Sequence, residues 1–228
     1  VLIVAGGKGL RMGGDLPKQF IPMRGKPLLM HTLEAFHRWD ASARIILVLP
    51  EDHQPYWNML CKEIGCKVPH AIVKGGDTRF FSVKNGLDWL LAERRRKGEE
   101  DSGLSLVAVH DGVRPFVSPE VVEACFDKAA VTGAVIPVVP MIDSLRETDE
   151  KGSHPVDRSR YMAVQTPQVF HLELLTKAYE QPYSSLFTDD ASVVEAMGHA
   201  IDTVPGDREN IKITTPFDLL IAEAMFAR

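Results

Sequence analysis

The chain has 228 residues, a formal net charge of −5, and 45% hydrophobic against 25% charged residues. That length supports the core of one domain, and the ordinary composition excludes fibrous and disordered classes. The acidic balance excludes a protein that coats nucleic acid through overall positive charge, and no apolar run approaches the ~20 residues that span a bilayer. Neither nucleic acid nor membrane is therefore expected as a partner, although a locally positive cleft is compatible with this charge.

Val1–Ala5 reads as a buried strand, and a glycine-rich turn follows it within "VLIVAGGKGLRMGGDLPKQF". That stretch carries Lys8, Arg11 and Lys18 against the single acid Asp15. A Walker-type phosphate loop needs G-x-x-x-x-G-K-[ST], which is absent. A dinucleotide fingerprint must open directly into a helix whose N-terminus holds the pyrophosphate. Gly13, Gly14, Pro17 and Pro22 leave no room for that helix. There remains a long loop whose backbone N–H groups wrap a triphosphate, with Arg11 and Lys18 supplying charge to the reacting phosphate.

Further apolar runs at Arg44–Leu49, Val68–Val73, Leu104–Val109 and Ala134–Val138 predict strands buried on both faces of a mostly parallel sheet. Cys61, Cys66 and Cys125 form no metal-ligand or disulfide framework and read as small buried hydrophobes, which suits a reducing compartment and predicts a cytoplasmic location. That the chain begins at Val1, not Met, is compatible with native residues or a targeting segment upstream. From Thr78, helical spacing places Phe80, Val83, Leu87, Leu90 and Leu91 on one face. The run Arg94–Lys97 closes that helix, where cations complement its carbonyl end, and is assigned no function. Ser118 followed by Pro119 predicts another helix start, with Val122, Phe126 and Ala129 on its apolar side. The polar stretch 143–160 breaks this rhythm and predicts a hairpin arm, bounded at 141–162, around Glu150-Lys151-Gly152. Near the end, Thr215-Pro216-Phe217-Asp218 predicts a capped helix with Phe217, Leu220, Ile221 and Ala224 as its stripe. The alternation of strands and helices predicts a single α/β domain over 1–228 with right-handed crossovers.

In a doubly wound sheet, ligands sit beyond the carboxyl ends of the strands. Three such ends carry chemistry-bearing residues. Val73 leads into "KGGDTRFFS", where Gly75 and Gly76 permit close backbone approach and Asp77 and Ser82 can hydrogen-bond a base. Val109 leads into "HDGVRP", with Asp111 and Arg114 on one tight turn. Val204 leads into "PGDRENIKIT", which returns Lys212 towards the sheet. Taken singly, each has an equally good structural reading, Asp111 as a turn former and Lys212 as a solvated charge. Their convergence on one edge points to in-line phosphoryl or nucleotidyl transfer, where fixed cations, Mg²⁺ and N–H donors stabilise the charge developing on phosphate oxygens. His110 is expected to point away from the ligand face because strand side chains alternate.

The ordered motifs "AGGKGLRM", "PKQF", "GGDTR", "HDGVRPF", "TPQVF", "TDDAS" and "ENIKITTPFDL" resemble the 2-C-methyl-D-erythritol 4-phosphate cytidylyltransferases of the non-mevalonate isoprenoid pathway, over nearly the whole chain. The resemblance implies a Rossmann-like three-layer nucleotidyltransferase fold and a homodimer clasped by the polar arm. It also implies Mg²⁺-dependent reaction of CTP with methylerythritol phosphate. It casts Arg11 and Lys18 as the cations at the α-phosphate, and Arg158 and Lys212 as the residues that position methylerythritol phosphate. Ala5, Gly6, Gly7 and Gly9 would line the nucleotide; Gly76, Asp77 and Ser82 would hold the cytosine. Asp111, Arg114, Ser144, Thr166 and Thr188 match the remaining substrate contacts, with Arg114 and Ser144 reaching the partner's site and Asp111 aiding a metal held mainly by the CTP phosphates. Three positions depart from the family pattern: Lys8 adds a cation, "HDGVRP" replaces "HDAARP", and Ser144 replaces Thr. Ribitol-5-phosphate cytidylyltransferases are the nearest alternative, disfavoured by "PVDR" and "TDDAS". A silent nucleotide-binding module would have lost a cation needed only for chemistry, and an NADP-dependent reductase should ignore CTP.

Overall fold

Alternation of side chains along the strands decides the architecture, because both faces of every central strand are apolar. A computed structural model describes residues 1–6, 16–99 and 104–227; the expectations for Gly7, Lys8, Gly9 and Arg11 lie outside the described residues. The first half of the chain holds β1 (Leu2–Val4), β2 (Pro22–Met23), β3 (Lys26–Pro27), α1 (Leu28–Trp39), β4 (Ile46–Leu49), α2 (Gln54–Ile64), β5 (Ala71–Lys74) and α3 (Arg79–Lys97). There follow β6 (Leu106–Asp111), α4 (Pro119–Thr132), β7 (Ala134–Pro140), β8 (Leu145–Asp149) and β9 (Gly152–Val156). The chain then forms β10 (Met162–Val164), β11 (Gln168–His171), α5 (Leu172–Ala178), α6 (Asp190–Glu195), β12 (Asp202–Pro205) and α7 (Pro216–Phe226).

The main sheet has the order β10-β7-β11-β6-β1-β4-β5, with β12 also paired to β7. β1 is parallel to both β4 and β6, β5 to β4, and β12 to β7. Only β10 and β11 run against the rest. Leu2, Ile46, Val48, Val107, Val109 and Phe170 bury against α3, α5 and α6. Their neighbours Ile3, Leu47, Leu49, Ala108 and Val169 bury on the opposite face, against α1, α2 and α4. The result is the expected three-layer α/β arrangement, in which the period-2 geometry of the strand sends alternate residues into two separate cores.

The predicted helix starts hold in detail. Thr78 caps α3 by accepting from Phe81 N–H, and Ser118 caps α4 by accepting from Val121 N–H. Thr215 and Asp218 form a reciprocal capping box on α7. The apolar stripe assigned to α7 is corrected, however: Phe217 and Leu220 are 68% and 62% exposed. Leu219, Ala222 and Phe226 pack instead against Met23, Leu28 and Ile213. This helix is apolar on nearly every side, so periodicity does not choose its face; the Phe226 ring does, lying 4.3 Å from His31 and 4.5 Å from Phe116 between ring centroids. The predicted hairpin appears as β8 and β9, an antiparallel pair separate from the main sheet and joined by Glu150-Lys151. Phe170 is fully buried in the core shared by α3, α5 and α6. Phe170→Ala is expected to lower the unfolding free energy by about 3–5 kcal/mol, measured by denaturant titration; a loss below ~1 kcal/mol would show that the core refills the site.

Candidate active site

β6 ends at Asp111, and the turn that follows must pass close to the end of β1. Gly112 makes this possible: its N–H donates to Val4 O at 2.9 Å, and a Cβ there would lie 2.8 Å from that of Ala5. Asp111 is 8% exposed, and its Oδ2 accepts from Arg114 Nε at 3.1 Å and lies 3.0 Å from Lys212 Nζ. Burial by itself would raise the Asp111 pKa. The positive charges of Lys212, Arg79 and Arg114 overcome it and hold the carboxyl well below the usual carboxylate range. The carboxylate is therefore ionised at neutral pH, and Lys212 is fixed at the cleft from an element some hundred residues away in sequence.

Lys212 arrives because Ile213 N–H donates to Val113 O at 3.0 Å, pinning the segment after β12 across the β6 turn. Arg114 secures the same segment from beneath, with Nη1 donating to Asn210 O at 2.8 Å. Asn210 Nδ2 in turn donates to Thr166 O at 2.8 Å. Arg114 is itself only 9% exposed. The hydrogen bonds that its guanidinium makes to Asp111 and Asn210 lie within its own chain.

A cleft of about 220 Å³ opens above these residues, lined by Ala5, Gly6, Lys18, Gly76, Asp77, Ser82, Asp111 and Lys212 among others. Eight of the residues singled out in the sequence thus meet at one place. Ser82 is turned inward: its Oγ accepts from Gly76 N–H at 3.1 Å and donates to Thr78 O at 2.9 Å, so it shapes the loop that carries Gly76 and Asp77. Gly76 must be glycine because a Cβ would stand 2.4 Å from that of Phe81. Gln19 and Arg79 also line the cleft; sequence reasoning missed both, although they lie inside the quoted motifs "PKQF" and "GGDTR". Gln19 is anchored to His53 at 3.2 Å, and Phe20 beside it packs on His53, Tyr56 and Trp57, which fixes the stretch after Lys18.

Ser144, Arg158 and Thr188 are exposed and do not line the cleft, and Thr166 is buried behind it. Arg158 donates to Ile142 O at the base of the hairpin. Thr166 is hydrogen-bonded to both His110 and the Asp111 backbone. His110 Nε2 faces Arg114 O at 3.1 Å and must donate to it, which leaves Nδ1 to accept from Thr166 Oγ1 at 3.0 Å. Thr166 Oγ1 then accepts from Asp111 N–H at 3.1 Å. His110 is fully buried, with Phe36 against its ring, and so faces the core as the strand alternation predicts. Desolvation lowers its pKa to about 4, against partial compensation from the Arg114 carbonyl and Asp111.

A sequence model of the 2-C-methyl-D-erythritol 4-phosphate cytidylyltransferase family matches residues 1–228. The chain belongs to that family. It is 56% identical over 224 residues to the cytidylyltransferase of that name from Bacteroides fragilis, covering 98% of this chain and 97% of the relative. It is 52% identical over 226 residues to the Porphyromonas gingivalis protein, covering 98% and 96%. Among solved structures, 4-diphosphocytidyl-2C-methyl-D-erythritol synthase from Anaerococcus prevotii superposes with a TM-score of 0.79 at 28% identity, covering 100% and 95% of the two chains. The Thermus thermophilus 2-C-methyl-D-erythritol 4-phosphate cytidylyltransferase gives 0.73 at 31%, covering 100% and 98%. The cleft of this family member is thus built on the ends of β1, β5 and β6, with Lys212 brought in by the segment after β12.

Because the folded-state pKa of His110 lies below its unfolded value of about 6.5, the unfolded chain binds more protons between pH 6.5 and about 4. Stability is complete above pH 6.5 and falls as pH drops through that window, by up to ~3 kcal/mol in total from this group. His110→Asn is expected to flatten the slope of unfolding free energy against pH across pH 4–6.5. An unchanged slope would exclude His110 as its source.

Proposed function

We propose that this chain transfers CMP from CTP to 2-C-methyl-D-erythritol 4-phosphate, releasing pyrophosphate and giving 4-diphosphocytidyl-2-C-methyl-D-erythritol. The observation that carries this reading is the meeting of Lys18, Lys212, Asp111 and the Gly6 and Gly76 backbones at one cleft, in a chain of this family. In-line attack by a phosphate oxygen on the α-phosphorus of CTP builds charge on the surrounding oxygens, and fixed cations lower that barrier without a covalent enzyme intermediate. Lys18 serves the α-phosphate, together with Arg11. Lys212 is held by Asp111 at 3.0 Å and serves the alcohol phosphate. The Gly76 and Asp77 loop, tightened by Ser82, reads the cytosine, and the Ala5 and Gly6 backbone lines the nucleotide with Gly7 and Gly9.

Mg²⁺ would neutralise the triphosphate and the departing pyrophosphate. One ionised carboxylate, Asp111, fits an ion bound mainly by phosphates, and among the described residues no group of three or more acidic, His or Cys side chains is placed to hold a metal by itself. The homodimer is proposed from the hairpin. Ile142, Tyr161, Met162 and Val164 expose apolar surface at its base, which favours a second copy there. Arg158, Ser144 and Thr188 would then meet a cleft assembled across the two chains. No helix of the described residues is long and apolar enough to cross a membrane; a cytoplasmic location is proposed with the reaction.

Assayed side by side, CTP with methylerythritol phosphate should release pyrophosphate in the presence of Mg²⁺; turnover with ribitol 5-phosphate alone would replace the acceptor and keep the reaction class. Lys18→Ala should lower turnover by at least ~100-fold, whereas near-wild-type turnover would reduce the loop to a binding role. Deleting 143–160 should convert the dimer to monomers in sedimentation, and an intact dimer would remove that role from the arm.

A further inference from the structure

Two charged residues near the cleft have no part in the mechanism above. Arg79 opens α3, directly after the Gly76–Thr78 turn, and Asp190 opens α6, two residues after Thr188. Their side chains meet across 111 residues of sequence as a planar fork, Nη1 to Oδ1 at 2.8 Å and Nη2 to Oδ2 at 2.6 Å. Asp190 is fully buried, and its Oδ1 also accepts from Tyr179 Oη at 2.6 Å. Arg79 keeps an edge on the cleft.

We propose that Arg79 and Asp190 form a positioning strut that holds the nucleotide-side loop, residues 75–78, at a fixed separation from the turn that carries Thr188. This rests on the reading of the reaction given above. Both ends of the strut are stiff. The loop is packed onto the first turn of α3, since Gly76 has no room for a Cβ against Phe81 and Ser82 Oγ is bonded to both Gly76 and Thr78. The loop therefore moves with Arg79. At the other end Asp189 caps α6 by accepting from Ser192 N–H, and its Oδ2 accepts from Gln168 Nε2 at 2.8 Å. Gln168 Oε1 accepts from Ala191 N–H at 2.9 Å, tying the same turn to β11. The Thr188 turn is thereby anchored twice, once to the sheet and once to Arg79.

An ion pair whose carboxylate is fully buried is a poor way to gain stability alone, because desolvation offsets the attraction and a packed apolar pair does as well. What the fork supplies is a single geometry: both carboxylate oxygens are engaged and the guanidinium is planar, so small displacements break two hydrogen bonds together. At a site where two phosphate-bearing substrates must align, that geometry sets the distance between their binding elements.

The test compares Arg79→Lys, Arg79→Met and Tyr179→Phe in the full chain. Arg79→Lys keeps the charge and loses the fork. Relative to Arg79→Met it should recover most of the Tm, while the KM values for CTP and for methylerythritol phosphate both stay raised, by about tenfold. Amide exchange should quicken at both 75–78 and 186–189. Tyr179→Phe, which leaves the pair intact but removes the second hydrogen bond to Asp190 Oδ1, should show the same pattern more weakly. Recovery of KM together with Tm in Arg79→Lys, or quickened exchange at neither segment, would overturn the strut. Absence of CTP-dependent turnover in the wild-type protein would instead overturn the reaction, and the exchange measurement would still decide the strut.

Discussion

Asp111, itself nearly buried, carries the positive charge of two different chain segments on one carboxylate oxygen. Its position follows from the parallel pairing of β6 with β1, which sets Asp111 opposite Val4. The low polarity around it strengthens both attractions and also makes an unpaired Asp111 costly. Lys212, Arg114 and Asp111 are therefore interdependent: remove the carboxylate and two cations are left facing each other across the turn. Around this centre the neutral His110, the Thr166 hydroxyl and the Asn210 amide complete a hydrogen-bonded set that lets the segment 207–213 approach the sheet.

The sheet supplies the other requirement. β1, β4, β5 and β6 run in one direction, so their carboxyl ends open at the same edge, and the turns that leave β1, β5 and β6 bring glycines and charges to one place. Close approach is bought with glycine at two points. Gly112 lets the β6 turn lie against Ala5, and Gly76 lets the β5 turn lie against α3. The same two contacts make the cleft stiff, which suits a reaction catalysed mainly by alignment and fixed charge.

The reversed strands β10 and β11 are absent from the strands that the apolar runs predict, because an apolar run of three or four residues is a weak signal and carries no sign of its direction. Their pairing with β7 and β6 decides where Thr166 and Gln168 stand. Arg79 was equally hidden. Its motif was visible, but an arginine at a helix start reads as a solvent-facing residue until Asp190 is found opposite it. The α7 face failed for another reason: with Phe217, Leu219, Leu220, Ile221 and Phe226 spread round the helix, several stripes fit the sequence, and only contact with Phe116 and His31 selects one.

The sequence by itself determined the α/β class, the start of α3, the capping of α4 and α7, the hairpin, and the residue types that gather at the strand ends. Periodicity, capping and turn chemistry are local, and they act over a few residues. Tertiary structure alone decided which polar groups face one another. Lys212 on Asp111, Arg114 on Asn210 and Arg79 on Asp190 join segments far apart in sequence. Such pairings depend on strand order and register, which no short stretch of chain encodes.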